Sequence, residues 1–177
     1  TEVIPCKYIQ AHNFNEGRAA VCHNQMYGYI DNTGKQITPF RYQFADSFYE
    51  GLACIQLDDK YGYIDKNGKE IIPCIYEFAN SFCEGLACVQ LDGKYRYIDR
   101  EGKETIPHTY EYANSFCEGL AYVRQNGKYG YIDKNGKEIE PAKPVRVAMT
   151  SAAVEQAKKD AENSLVADPV VVHVDNE

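Results

Sequence analysis

Pro5, Pro39, Pro73, Pro107 and Pro141 recur at a constant interval of 34 residues, and Tyr27, Tyr61, Tyr95 and Tyr129 keep the same interval. Residues 27–60 and 61–94 share 23 identities in 34; residues 61–94 and 95–128 again share 23. No insertion interrupts the series, so every copy must fill an equivalent geometric slot. A single unit of this length cannot bury enough surface to fold alone, because domains below about 40 residues need disulfides, metal or partners. Stacking resolves this: each copy buries its apolar side against the next.

One copy, 61–94, reads as strands and turns. "YGYID" has the aromatic and β-branched composition of a strand. In "DKNGK", Asp65 can accept from backbone two residues on and Gly68 suits a positive φ, so a hairpin turn is expected. "KEIIP" returns as a second strand stopped by Pro73. "EGLACVQL" is a third, entered through Gly85, and "DGK" turns into the next copy. Within "CIYEFANSFC", Tyr76, Ala79 and Phe82 are spaced by three, which predicts one or two helical turns.

A two-residue turn at Asp92-Gly93 sets Gln90 opposite Tyr95, Cys88 opposite Tyr97 and Ala87 opposite Ile98. One face then carries Ala87, Val89 and Ile98, and the other Leu86, Cys88, Tyr95 and Tyr97. Both are apolar, as in a sheet covered on two sides, with "YEFANSF" as the expected cover. The expected fold is mainly β: tandem repeats of an antiparallel three-stranded meander plus a short helical turn, stacked as an open or superhelical array. A closed propeller-like ring is the alternative, but propeller blades use four strands and about 40–45 residues.

A net charge of −7 and a pI near 5.2 exclude a phosphate-backbone binder, which needs basic stripes. No apolar run approaches the roughly 18–20 residues of a membrane span. "TEVIPCKYIQ" lacks the charged start and apolar core of a secretory signal, and the missing initiator Met suggests a trimmed chain. Seven cysteines without a C-x-x-C, recurring at equivalent positions (Cys54 with Cys88, Cys83 with Cys117), read as small buried groups. Reduced thiols of this kind point to the cytoplasm.

The stretch "KYGYIDKNGKEIIPCIYEFANSFCEGLACVQ" resembles the bacterial WG-repeat family, also called KWG repeats. The shared pattern is lysine, tryptophan-glycine, tyrosine-isoleucine-aspartate, a glycine turn, isoleucine-proline, then a tyrosine, an alanine, a phenylalanine and "EGLA-V". The resemblance spans about residues 3–141. Tyr27, Tyr61, Tyr95 and Tyr129 stand at the name-giving tryptophan, and Arg96 replaces the glycine kept as Gly28, Gly62 and Gly130. It implies an all-β repeat with an interaction role and carries over no catalytic residues.

The expected domain is 1–141: a partial repeat 1–26, full repeats 27–60, 61–94 and 95–128, and a partial repeat 129–141. Residues 142–177 read as a linker, a short C-terminal α-helix with Val154, Ala157, Ala161 and Leu165 along one stripe, and a tail. That region is expected to cap the last repeat, or to pair with another chain in self-association.

Reactive constellations are scarce. His12, His23, His108 and His173 form no metal-ligand pair, and "DKNGKE" puts Gly68 fourth and Lys69 fifth where a calcium loop needs other residues. No cofactor or metal and no catalytic residue is assigned. The recurring Tyr61, Tyr63 and Tyr76 read as packing groups, whose hydroxyls need partners such as Asp65 and its equivalents. Slots that vary between copies are the better surface candidates: Phe40-Arg41, Cys74-Ile75 and His108-Thr109 after the proline, Tyr49 at the slot of Cys83 and Cys117, and Arg96, whose head must reach solvent or an acid. The expected function is a non-enzymatic repeat module for protein–protein interaction or scaffolding, with a basic partner surface favoured by the acidic charge. Carbohydrate or cell-wall ligand binding through exposed tyrosines is the alternative.

Overall fold

The computed structural model describes residues 4 and 6–139. The chain divides into two compact units, Thr1–Ile139 and Glu140–Glu177. The linker, helix and tail expected over 142–177 lie outside the described residues.

Thirteen strands form four antiparallel sheets among the described residues. The first sheet holds β1 (Gln10–Ala11), β2 (Arg18–His23) and β3 (Met26–Asp31). The second holds β4 (Phe44–Ala45), β5 (Leu52–Leu57), β6 (Lys60–Asp65) and β7 (Glu70–Tyr76). The third is β8 (Phe78–Ala79), β9 (Ala87–Leu91) and β10 (Lys94–Ile98); the fourth is β11 (Tyr112–Ala113), β12 (Leu120–Gln125) and β13 (Lys128–Asp133). Isolated bridges such as Tyr27 to Tyr42 and Tyr95 to Tyr110 mark where the other sheets keep a fragment of the β7 strand.

Two corrections follow. No helical turn occupies 74–83: Tyr76 ends β7, Glu77 alone connects, and Phe78–Ala79 is a strand of the next sheet. Three of the four sheets are three-stranded antiparallel meanders as expected and the second adds a fourth strand, but the layers are out of phase with the sequence repeat, since the second sheet runs from Phe44 to Tyr76.

The expected register holds, with Tyr95 opposite Gln90, Tyr97 opposite Cys88 and Ile98 opposite Ala87. Asp92 and Gly93, both at positive φ (53° and 68°), form the two-residue turn that sets it, and the other turns follow equally local chemistry. Asp65 Oδ1 accepts from the N–H groups of Asn67 and Lys69, both at 2.9 Å, while Gly68 takes φ of 81°. Glu50 and Gly51 both lie at positive φ between mutually bonded Tyr49 and Leu52, the geometry of a two-residue hairpin turn.

The two apolar faces of the first three sheets enter different cores. The forward face of the third sheet (Leu86, Cys88, Tyr97) packs on the rear face of the fourth (Ala121, Val123, Ile132). Leu52, Cys54 and Tyr63 of the second likewise meet Ala87, Val89 and Ile98 of the third, and Ala20 and Tyr29 of the first meet Ala53, Ile55 and Ile64 of the second. Large residues face small ones at every junction. Neighbouring sheets are thus the main cover, with Ala79 and Phe82 contributing from the "YEFANSF" segment. Among the described residues the layers form an open array, because the forward face of the fourth sheet stays exposed at Tyr129 and Tyr131.

Two bonded series tie layer to layer. The hydroxyls of Tyr29, Tyr63 and Tyr97 donate to the carbonyls of Asp46, Asn80 and Asn114 at 2.6, 2.6 and 2.7 Å. The carboxylates of Glu16, Glu50 and Glu84 accept from the N–H groups of Gly51, Gly85 and Gly119 at 3.0, 2.9 and 3.0 Å. The partners of the phenols at the Tyr63 slot are therefore backbone carbonyls, not Asp65 and its equivalents, whose oxygens stay with their own turns, while at the Tyr76 slot the buried hydroxyls of Tyr42 and Tyr110 have no hydrogen-bond partner among the described residues. Burial removes a phenolate's hydration, and the hydroxyls of Tyr29, Tyr63 and Tyr97 titrate well above the usual tyrosine range.

Candidate functional site: an aromatic strip across the sheets

At the hairpin end of the strands, one row crosses each sheet. Phe44 stands opposite Gln56 and Gln56 opposite Tyr61. Phe78, Gln90 and Tyr95 repeat the row, as do Tyr112, Arg124 and Tyr129. Paired positions in an antiparallel ladder share a face, so each row brings two rings together.

Within and between sheets the rings join. Phe44 and Tyr61 lie 6.1 Å apart, Tyr61 and Phe78 6.3 Å, Phe78 and Tyr95 6.1 Å, and Tyr95 and Tyr112 5.6 Å, all tilted or edge-on. Tyr112 continues to Tyr122 at 6.4 Å. Tyr122 stacks on Tyr129 at 5.2 Å and 1° and meets Tyr131 at 5.5 Å. The result is an unbroken strip from the second sheet to the fourth. Phe44, Phe78, Tyr112, Tyr129 and Tyr131 are exposed, while Tyr61 and Tyr95 are half-buried between them.

The strip is held from below by its turns. Gln43 and Asp59 exchange two hydrogen bonds, Glu77 accepts from the N–H of Gly93 at 2.9 Å, and Glu111 from that of Gly127. These anchor β4, β8 and β11 against the hairpins beside them. The Arg124 guanidinium lies 5.5 Å from the Tyr129 ring and 3.3 Å from Glu111. Crowding by Tyr129 and Tyr131, after burial, raises the Tyr122 hydroxyl. Such a surface offers apolar area and ring faces. Among the described residues no three His, Cys, Asp or Glu side chains converge as metal ligands.

The residues singled out by their variation lie apart from the strip. Phe40 packs near Tyr8 and His23, at 6.1 and 5.3 Å, and Arg41 sits over Tyr42 at 5.3 Å. Cys74 is half-buried in β7 beside the exposed Ile75, and its thiol is pushed up to about 11, chiefly by burial. His108 and Thr109 are exposed in the equivalent segment, and Tyr49 is exposed before β5. Arg96 reaches an acid: it pairs with Glu104 at 2.6 Å and donates to the carbonyl of Leu91 at 3.2 Å. Cys54 and Cys88 are buried as their recurrence implies, whereas Cys117 is exposed.

Variation between copies therefore misses the strip, which occupies invariant aromatic slots. A signal was available: Phe44, Tyr61, Phe78, Tyr95, Tyr112 and Tyr129 are spaced by 17, half the repeat.

No curated protein matches the chain in sequence. Among solved structures it is similar to Hsv2 of Kluyveromyces lactis with loop 6CD replaced by a Gly-Ser linker, at 9% identity and a TM-score of 0.53, covering 76% of this chain and 52% of that one. It is also similar to the extracellular domain of BT4673 from B. thetaiotaomicron, at 16% identity and a TM-score of 0.48, over 76% of this chain and 21% of that one. The chain thus spans about half of the first and a fifth of the second, and at such identities the likeness concerns the fold alone. The family model described as "WG containing repeat" matches residues 1–26, 27–61, 61–95 and 95–129. With four consecutive matches over residues 1–129, the chain belongs to the WG-repeat family.

Proposed function

We propose that this chain is a non-enzymatic repeat module that binds another protein along the strip from Phe44 to Tyr129. The supporting observation is the unbroken series of half-exposed rings across three sheets. Aromatic residues are enriched where proteins recognise one another, because they bury much area at small entropic cost. The net charge of −7 favours a segment carrying Lys or Arg beside its apolar anchors. The unpaired thiols of Cys22, Cys54, Cys74, Cys83, Cys88 and Cys117 support a cytoplasmic setting.

Selection of binders from a random displayed-peptide library tests this reading. Enriched peptides should be basic and apolar and lose at least about tenfold in affinity for a Phe78→Ser, Tyr112→Ser double variant whose circular dichroism is unchanged. Failure to enrich any peptide, or equal binding by the variant, would refute it. A second reading, saccharide stacking, is favoured by the exposed Tyr129 ring, stacked flat on the half-buried Tyr122. A glycan array bound by the chain and not by Tyr129→Ala would support that reading in place of the first.

A further inference from the structure

The strip repeats layer by layer, and its repeat limits what can lie along it. Each sheet contributes one ring from its short edge strand and one from its hairpin: Phe44 and Tyr61, then Phe78 and Tyr95, with Tyr112 beginning the next pair. Successive rings are 5.6 to 6.3 Å apart. Exposed Phe44, Phe78 and Tyr112 alternate with half-buried Tyr61 and Tyr95, so ridges alternate with notches, one notch to a layer. Stacked sheets lie about 10 Å apart, which sets the length of that unit.

A carboxylate stands beside each pair, fixed by the turns. Asp59 accepts from the Gln43 amide at 2.8 Å, beside Phe44, and Glu77 accepts from the Gly93 N–H at 2.9 Å, beside Phe78. Glu111, beside Tyr112, holds the Gly127 N–H and is shared with Arg124. Asp58 and Asp92 add exposed acids at the turn tips. Lys60 and Lys94 alternate with Tyr61 and Tyr95 along their strands, which puts them on the other face, and Arg41 is turned onto the Tyr42 ring. Hydrogen-bond donors are free as well. The hydroxyls of Tyr61 and Tyr95 and the amides of Gln56 and Gln90, all half-buried in the rows, have no partner among the described residues.

Three backbone conformations can be measured against this unit. An extended strand turns a side chain to one face about every 6.6–6.8 Å, so it falls out of step at alternate layers. An α-helix returns to the same face after seven residues, about 10.5 Å, but it is about 10–12 Å across and buries a broad apolar stripe. The strip is a single file of rings bordered by Gln56 and Gln90. A polyproline II segment turns once in three residues, about 9.3 Å, and so keeps step with the layers. Two residues of each turn then lie on the two rings of a layer, and the third projects beside them. Its carbonyls have no bonds within the segment and can accept from the free tyrosine and glutamine donors.

We propose, on the strength of the strip reading, that the partner segment is proline-rich, adopts the polyproline II conformation and carries Lys or Arg at every third residue. Its prolines pack on Phe44, Tyr61, Phe78, Tyr95 and Tyr112, and its cations reach Asp59 and Glu77. Such a segment is already extended before it binds, so little order is lost on aromatic rings that receive it. One turn per layer also means that contacts accumulate with each layer spanned.

Fluorescence anisotropy of labelled peptides with the full 177-residue chain tests it. A peptide of four proline-proline-lysine triplets should bind at least about tenfold more tightly than one of two triplets. It should exceed by the same factor a peptide with an alanine after each triplet, which breaks the period, and one with glutamate in place of lysine. The Phe78→Ser, Tyr112→Ser variant with unchanged circular dichroism should lose this binding. An Asp59→Asn, Glu77→Gln variant, whose amide oxygens keep the turn hydrogen bonds, should lose the preference for lysine over glutamate. Equal affinity for the periodic and the alanine-interrupted peptides would overturn the proposal, as would full binding by the Phe78→Ser, Tyr112→Ser variant. If displayed-library peptides that require Phe78 and Tyr112 carry no periodic proline, the strip reading stands and this inference falls. If no peptide requires those rings, both fall.

Discussion

The phenol series allows one substitution to be made in two environments. Tyr63 is fully buried, its ring lies edge-on to Phe82 at 4.9 Å, and its hydroxyl donates to the Asn80 carbonyl at 2.6 Å. Tyr63→Phe removes the donor, keeps the ring, and leaves a carbonyl in the inter-sheet core without that partner. A lost buried hydrogen bond of this kind costs about 1–3 kcal/mol. For a protein of this size that corresponds to about 2–4 °C in Tm per kcal/mol. Tyr131 has the same sequence position in the last layer but is 52% exposed, so Tyr131→Phe should change stability by less than about 0.5 kcal/mol. Urea unfolding followed by far-UV circular dichroism, at a concentration where the chain is monomeric, measures both. Equal costs, or a Tyr63→Phe cost below about 0.5 kcal/mol, would refute the claim that the recurring hydroxyls act as ties between layers.

Three further outcomes are expected. A Cβ at Gly62 would lie 2.6 Å from the carbonyl oxygen of Ile72, so Gly62→Ala should cost about 1–3 kcal/mol by overpacking, whereas Gly130→Ala, with nothing near, should be close to neutral by the same unfolding assay. Glu16 and Glu84, hydrogen-bonded chiefly by Lys66 and Lys134, are held below the usual 4.5, and Asp31 and Asp133, bonded chiefly by Thr33 and the Lys137 N–H, below 3.8. Such groups bind fewer protons folded than unfolded, so their stabilisation is present above about pH 5 and fades as pH falls through the folded-state values; Tm against pH should decline on the acid side, less steeply in Glu84→Ala. Burial pushes the Cys88 thiol up to about 12 and the Cys54 thiol higher still, so both should resist alkylation in the native chain while Cys117 reacts, as mapped by mass spectrometry.

The repeat reports its local geometry well. Register across Asp92-Gly93 follows from turn length alone, because a two-residue loop leaves only one pairing, and the Asp65 turn follows from an oxygen placed two residues before an N–H. The spacing of Tyr76, Ala79 and Phe82 misleads for a specific reason. The chain crosses from the second sheet to the third at Glu77, and all three side chains enter the same core from successive segments. A spacing of three therefore arose from a change of layer, not from a helical turn. Variation between copies does not sort surface from core: Cys74 is half-buried and Arg96 pairs with Glu104, whereas Tyr49 and Ile75 are exposed, as is the slot filled by Phe44, Phe78 and Tyr112, aromatic in every full copy.

The sequence by itself determined the period, the strands, the hairpin turns and the two apolar faces of each sheet, since these depend on contacts between near neighbours in the chain. Tertiary structure alone decided that the layers straddle the repeat boundary and that one phenol slot is core at Tyr97 and surface at Tyr131. It also decided that rings spaced by 17 join into a strip. The physical reason is that exposure belongs to the neighbouring layer: identical residues are buried or free according to what the chain has stacked upon them.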